Sequence, residues 1–167
     1  MPATVMGLLA QFLIHPYLNT IFSLYKENKY KEIKKILYKI IFIIFAIGVL
    51  VSALGYFLGC PILGIVYGMN LSEYSISLLI ILIASTFYTM AGIISPVLIT
   101  MRYTFIQFVI YTIVAIFELV LSNVLVQKFG FDGAIWAYLI TMVIYFVIFY
   151  FVAMKIINNK LKELEKE

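Results

Sequence analysis

One carboxylate stands inside an apolar stretch of the sequence and is the first candidate for chemistry. Glu118 lies in the run IFELVLSN, and Ser122 follows one helical turn later on the same side. A carboxylate there must face a protein interior or a wet cavity, because apolar surroundings solvate charge poorly. It could bind a proton or a cation, or accept a hydrogen bond from a sugar. The alternative is a protonated, structural glutamate bonded to a neighbouring helix.

A second candidate is His15, the single histidine, which precedes Pro16 in another apolar stretch. Its imidazole could titrate near neutral pH. The alternative is a hydrogen-bonded structural histidine, which we favour because nothing nearby in the sequence pairs with it. We therefore take Glu118, Ser122 and His15 as candidates for a substrate or ion pathway.

Enzyme chemistry finds no support in the residue pattern. The sequence contains no GxSxG, HExxH or CxxC motif and no pair of carboxylates at working spacing. The single cysteine, Cys60, rules out an internal disulfide, and one histidine leaves no histidine-based metal cluster. We predict neither an enzyme nor a bound cofactor.

The segments that must position these residues are long and apolar. Hydrophobic residues make up 65% of the chain, charged residues make up 12%, and the mean hydropathy is +1.10. A helix that spans a bilayer needs roughly 20 apolar residues. Five stretches qualify, at residues 3–24, 37–59, 74–99, 105–126 and 134–154. They lack the alternation of membrane β-strands, so we predict an all-α integral membrane protein with about five transmembrane helices.

Positive charges collect in every second connection between these stretches. Lysines fill residues 26–39, Arg102 follows the third stretch, and further lysines lie in the polar tail, 155–167. The positive-inside rule places all three segments in the cytoplasm and leaves a transmembrane domain at 1–154. This topology puts the N-terminus outside, so we expect more helices before Met1 in the native protein. The charge pattern indicates orientation and lipid contact, with no nucleic-acid partner.

Residues 26–39 also have the pattern of an amphipathic helix. Apolar side chains recur on one face and lysines fill the other, which predicts a helix on the inner leaflet. A solvated charged linker is the alternative. We expect Lys31, Lys34, Lys35 and Arg102 to contact the lipid surface, where Arg102 would extend towards the headgroups.

Small residues form stripes along two of the predicted helices, and aromatic residues lie near helix ends. One stripe of small residues consists of Gly48, Ser52, Gly55 and Gly59. Another consists of Ala91, Gly92, Ser95 and Pro96. Such stripes allow close helix packing and also suit a transporter that rocks between two states. Aromatic residues expected near the outer interface are Tyr56, Tyr67, Tyr74, Trp136 and Tyr138.

Three stretches resemble, in order and spacing, the C-terminal part of polysaccharide-type flippases of the multidrug/oligosaccharidyl-lipid/polysaccharide exporter superfamily. They are HPYLNTIFSLYKENKYKEIKKILYK, CPILGIVYGMNLSEYS and LVLSNVLVQKFGFDGAIWAYLI. The resemblance covers nearly the whole chain. It implies two lobes of helices around a central cavity, with this chain supplying the last five helices and a cytoplasmic C-terminus. Glu118 departs from the pattern, because such proteins often carry Asn there.

The resemblance implies a transporter that moves polyprenyl-linked oligosaccharide across a bacterial or archaeal cytoplasmic membrane for polysaccharide or lipopolysaccharide biosynthesis. Its implied partners are membrane lipid, the lipid-linked substrate, and an N-terminal transmembrane half or other partner helices. Two alternatives stay open: a drug or cation antiporter of the same superfamily, and a non-catalytic membrane subunit of an envelope-assembly complex. Short, nearly uncharged outer connections disfavour a membrane polymerase or ligase.

Overall fold

The computed structural model describes residues 17–68, 70 and 72–164, and all regular elements in these ranges are helices. In chain order they are α1 (residues 17–26), α2 (Tyr30–Leu54), α3 (Cys60–Tyr67), α4 (Ser75–Thr100) and α5 (Thr104–Leu164). A π-helical turn, Gly55–Gly59, joins α2 to α3, and a 3₁₀ turn, Ser72–Tyr74, leads into α4.

Three helical stretches of the described chain are long and apolar enough to cross a membrane. They are Tyr30–Ile65, Ser75–Thr100 and Thr104–Leu164. The predicted all-α architecture with apolar, membrane-length helices is therefore confirmed for the described residues. Most of the predicted span 3–24 lies outside them.

The longest helix, α5, reverses its direction at Gly130. This residue has φ 58° and ψ −131°, a conformation that only glycine adopts readily. Residues 104–129 form a first leg, and residues 131–164 form a second leg that returns beside it. The ring centroids of Tyr111 and Phe149 lie 5.5 Å apart across the two legs. In a straight helix these residues would be separated by about 57 Å.

Gly48 of α2 and Gly55 of the π-helical turn lie close to α4, which packs against both α2 and α5. A Cβ atom added at Gly48 would overlap the side chain of Thr86, and one added at Gly55 would overlap Leu82. The predicted close approach along this stripe is confirmed. The stripe on α4 differs at Gly92, where an added Cβ would meet no atom within 4 Å.

Pro61 accounts for the π-helical turn between α2 and α3. Its nitrogen carries no hydrogen, and in a regular helix its ring would collide with the carbonyl of Phe57. A wider turn at Gly55–Gly59 shifts the hydrogen-bond register ahead of the proline, so the two helices continue as one rod. The rod ends at Gly68, whose φ of 67° is typical of a helix C-cap.

The apolar face of the basic segment 26–39 packs into the bundle. The helix in this segment begins at Tyr30 and continues directly into the apolar part of α2. Tyr30, Ile33 and Leu37 are buried in the main core together with residues of α4 and α5. The structure therefore differs from the predicted helix on the lipid surface. The core covers the apolar face, and only the lysine-rich face stays outside.

The three basic segments meet at one end of the bundle, which we call the basic end. Lys34 Nζ donates a hydrogen bond to Asn158 Oδ1 at 3.0 Å and so joins the start of α2 to the end of α5. Tyr103, which follows Arg102 in the turn after α4, lies within electrostatic range of Tyr30. The predicted grouping of these segments at one end is therefore present in the fold.

Candidate functional site

The structure places two of the three sequence candidates on the first leg of α5. Glu118 is partly buried near the middle of this leg. Within the described part of the chain it forms no hydrogen bond or ion pair. Ser122 Oγ donates to the Leu119 carbonyl of its own helix at 3.4 Å. His15 lies outside the described residues.

Glu118 belongs to a polar stripe on the first leg. Gln107, Tyr111, Glu118 and Ser122 follow one another at intervals of four and seven residues, which puts them on one side of a helix. Gln107 is buried, and its Nε2 donates to the backbone carbonyl of Ser95 in α4. This hydrogen bond holds the stripe against α4. The sequence analysis did not single out Gln107 or Tyr111, although their spacing from Glu118 could have indicated them.

Tyrosine rings fill the junction of α4 with the two legs of α5. Tyr145, on the second leg, is buried and stacks on Tyr88 of α4, with 6.1 Å between ring centroids and 23° between planes. Tyr111 lies 5.9 Å from Tyr145, and Phe149 packs edge-on against Tyr145 at 4.8 Å. Sequence reasoning missed Tyr88, Tyr111 and Tyr145, because three tyrosines so far apart in the chain give no pattern of their own.

Hydroxyl contacts hold Tyr111 in position. Its hydroxyl oxygen lies 3.3 Å from Ser95 Oγ, close enough for a hydrogen bond in either direction. It also interacts with the hydroxyl of Tyr145. These contacts fix the position of the Tyr111 side chain relative to α4 and to the second leg of α5.

Tyr138 brings a further hydroxyl towards Glu118. It is partly buried on the second leg of α5 and lies within electrostatic range of both Tyr88 and Glu118. Its place in an interfacial belt stays a prediction. Tyr74, also predicted for that belt, packs its ring edge-on against Phe131 at 5.8 Å, beside the reversal of α5.

Together these residues form what we call the tyrosine–glutamate cluster: Tyr88, Tyr111, Tyr138, Tyr145 and Glu118. Tyr88 lies at the middle of α4, a helix of 26 residues, so about 20 Å of helix extends to either side. At that depth in a bilayer, a hydroxyl or carboxylate facing lipid has no hydrogen-bond partner. The cluster is therefore suited to a wet cavity or a polar ligand.

Two buried hydroxyls near the cluster have no hydrogen-bond partner among the described residues. They are Thr89 Oγ1 in α4 and Thr141 Oγ1 in the second leg of α5. An unpaired buried hydroxyl costs about 1–3 kcal/mol. By contrast, Thr86 Oγ1 donates to the Leu82 carbonyl at 2.9 Å.

The residues predicted to contact lipid lie at the basic end. Lys31, Lys35 and Arg102 are exposed, and Lys34 is partly buried beside Asn158. Arg102 has φ 65° in the short turn between α4 and α5. Contact of these cations with anionic headgroups stays a prediction.

An ion pair at the same end reduces the free positive charge. Glu27 lies 2.6 Å from Lys29 Nζ, and this hydrogen-bonded contact raises the pKa of the Lys29 ammonium group. Both side chains are more than half exposed, so the pair contributes little to stability.

Other cavities and side-chain clusters of the described chain are weaker candidates for binding a polar ligand or a metal ion. A cavity of about 250 Å³ between α2 and α4 is apolar and is bounded by Phe45 and Phe87. Within the described ranges, no group of three or more His, Cys, Asp or Glu side chains could hold a metal ion. The tyrosine–glutamate cluster is therefore the strongest candidate site.

No protein-family model, curated protein or solved structure matches this chain. Its function is therefore inferred from the apolar helices, the tyrosine–glutamate cluster and the basic end.

Proposed function

We propose that this chain is part of a membrane transporter that moves polyprenyl-linked oligosaccharide from the inner to the outer leaflet. The tyrosine–glutamate cluster, a polar surface halfway along apolar helices, is the observation that supports this proposal most. A flippase must shelter a polar headgroup while the lipid tail stays in the bilayer. Polar groups at mid-depth serve that task. The sequence resemblance supplies the class of substrate.

The proposed topology has five spans. They are residues 3–24, the rod formed by α2 and α3, helix α4, and the two legs of α5. The reversal at Gly130 and the short turn at Arg102 support the last three spans. By the positive-inside rule the basic end and the C-terminus face the cytoplasm of a bacterial or archaeal cell. An N-terminal half or partner helices would close the cavity on the other side.

In this proposal Glu118 is the principal contact to the headgroup. Its carboxylate accepts hydrogen bonds from sugar hydroxyls, and Tyr138 lies within electrostatic range of it. Alternating access between the two lobes then releases the headgroup at the outer leaflet.

Substitution of Glu118 tests this role. In vesicles containing the native protein and a fluorescent polyprenyl-diphosphate oligosaccharide, we expect Glu118→Ala to lower the translocation rate about 10- to 100-fold, because hydrogen bonds to charged groups contribute about 1.5–3 kcal/mol. Glu118→Gln keeps an acceptor and should lose less. Glu73→Gln, at an exposed position far from the cluster, is the matched control. Unchanged translocation by Glu118→Ala would remove this residue from the mechanism.

A drug or cation antiporter is the second candidate function. Glu118 lies within electrostatic range of Tyr138, and a carboxylate beside an aromatic ring can hold an organic cation. Protection of cells against cationic dyes, without a polysaccharide defect on deletion, would favour this function over the flippase. A purely structural membrane subunit would show neither dye protection nor translocation.

A further inference from the structure

The roles given to Glu118 leave the exposed rings of Tyr88 and Tyr111 unused. We propose that the open face of each ring is a stacking surface, or subsite, for a pyranose ring of the transported headgroup. This inference rests on the proposed function and specifies how the cluster recognises its substrate. Tyr88 is 51% exposed and Tyr111 is 44% exposed, whereas Tyr145 between the two helices is 4% exposed.

The buried ring of Tyr145 fixes the orientation of both exposed rings. It stacks on Tyr88 at 6.1 Å and contacts Tyr111 at 5.9 Å. Phe149 packs against Tyr145 and also against Tyr111, at 4.8 Å and 5.5 Å. Each exposed ring therefore has one side held by protein, and little rotamer freedom is lost when a ligand covers the other side.

The polarity of this surface differs from that of the lipid-facing side of the same leg. On the opposite side of the first leg of α5, the exposed residues are Ile113, Ile116 and Val120, which suit acyl chains. The side with Tyr111 carries the Glu118 carboxylate, which forms no hydrogen bond among the described residues, at a depth where lipid cannot bond it. This side is therefore matched to water or to a ligand with its own hydroxyl groups.

The geometry of the rings favours a sugar over an organic cation. Tyr145 covers one face of Tyr88 nearly in parallel, with 23° between the planes, and leaves the opposite face of Tyr88 flat and open. A flat open face suits the C–H side of a pyranose ring, whereas cages for cations need several faces around one centre. The rim of the sugar would reach Ser95 Oγ, which lies 3.3 Å from the Tyr111 hydroxyl.

The position of Glu118 extends the subsite along the helix. Tyr111 and Glu118 are seven residues apart on one stripe, which is about 10 Å along the axis. A ring stacked on Tyr111 therefore leaves room for the adjoining part of the headgroup to reach the carboxylate. The two contacts act on different parts of one chain of sugars.

Saturation-transfer NMR on the native protein in lipid nanodiscs tests the subsite, with N-acetylglucosamine and tetraphenylphosphonium as the two probes. We expect transfer to N-acetylglucosamine, with Tyr111→Phe keeping most of it because the ring remains. Tyr111→Leu and Tyr88→Leu should each lower the transfer at least about fivefold, since stacking contributes about 1 kcal/mol or more. Tyr56→Leu replaces an exposed tyrosine elsewhere and should have no effect.

Equal transfer in Tyr111→Leu and Tyr56→Leu would overturn the subsite, as would contact with tetraphenylphosphonium alone. Loss of transfer in Tyr111→Phe as well as Tyr111→Leu would also count against stacking. Sugar contact is measured without translocation, so the two proposals fail separately. Sugar contact with no translocation of a lipid-linked glycan contradicts the transporter, and full translocation by Tyr111→Leu contradicts the subsite.

Discussion

At the scale of single residues, a buried hydroxyl without a hydrogen-bond partner lowers the free energy of unfolding. Thr141 Oγ1 is fully buried and has no hydrogen-bond partner in the described part of the chain. It lies between Tyr138 and Tyr145 in the sequence of the second leg of α5.

Replacement of Thr141 by valine tests whether this hydroxyl is unpaired. The change keeps the side-chain shape and removes the polar atom, so we expect the free energy of unfolding to rise by about 1 kcal/mol or stay the same. Unfolding in detergent micelles, followed by circular dichroism, measures it. Thr86→Val is the control and should destabilise slightly, because its hydroxyl donates to Leu82. A clear loss of stability in Thr141→Val would mean that the hydroxyl has a partner.

Glu118 shows how much of the candidate site the sequence could predict. A lone carboxylate in an apolar stretch is visible without a structure, and so is Ser122 one turn later. The neighbour of Glu118 on the second leg was not visible. Tyr138 comes within electrostatic range of Glu118 only because α5 folds back on itself. Contacts between residues distant in the chain follow from the packing of the helices, which no local pattern contains.

At the scale of elements, glycine decides how closely α2 and α4 pack. We expect Gly48→Ala to destabilise the protein by about 1–3 kcal/mol, because the added methyl group overlaps the side chain of Thr86. Gly92→Ala is the matched control in α4, where the added methyl group meets open space. It should be neutral, or stabilise the helix by up to about 1 kcal/mol. Unfolding in micelles compares the two. Equal effects would contradict the assigned packing of α2 on α4.

The elements also show where local sequence signals are sufficient and where they fail. The predicted spans 105–126 and 134–154 leave a short connection that contains Gly130, and the reversal of α5 lies there. The sequence could not predict what packs against the apolar face of residues 26–39. A stripe of apolar side chains fits a lipid surface and a protein core equally well, and here the core covers Tyr30, Ile33 and Leu37.

At the scale of the whole molecule, charge separates the two ends of the bundle. Lysines near the start of α2, Arg102 after α4 and the lysines at the end of α5 share the basic end. In the sequence, the charged residues of the connection before α4 and of the reversal of α5 are Glu73, Lys128 and Asp132. For a bundle with such an asymmetry, the positive-inside rule predicts an orientation with the basic end in the cytoplasm.

The proposed orientation can be measured directly by labelling single cysteines in intact cells. With Cys60 replaced by alanine, one cysteine is introduced at Lys35, Lys162, Glu73 or Asp132, all of which are exposed. A membrane-impermeant maleimide should react with cysteines at positions 73 and 132 from outside. Positions 35 and 162 should react only after the membrane is permeabilised. Labelling of position 35 or 162 in intact cells would contradict the topology and the direction of transport inferred from it.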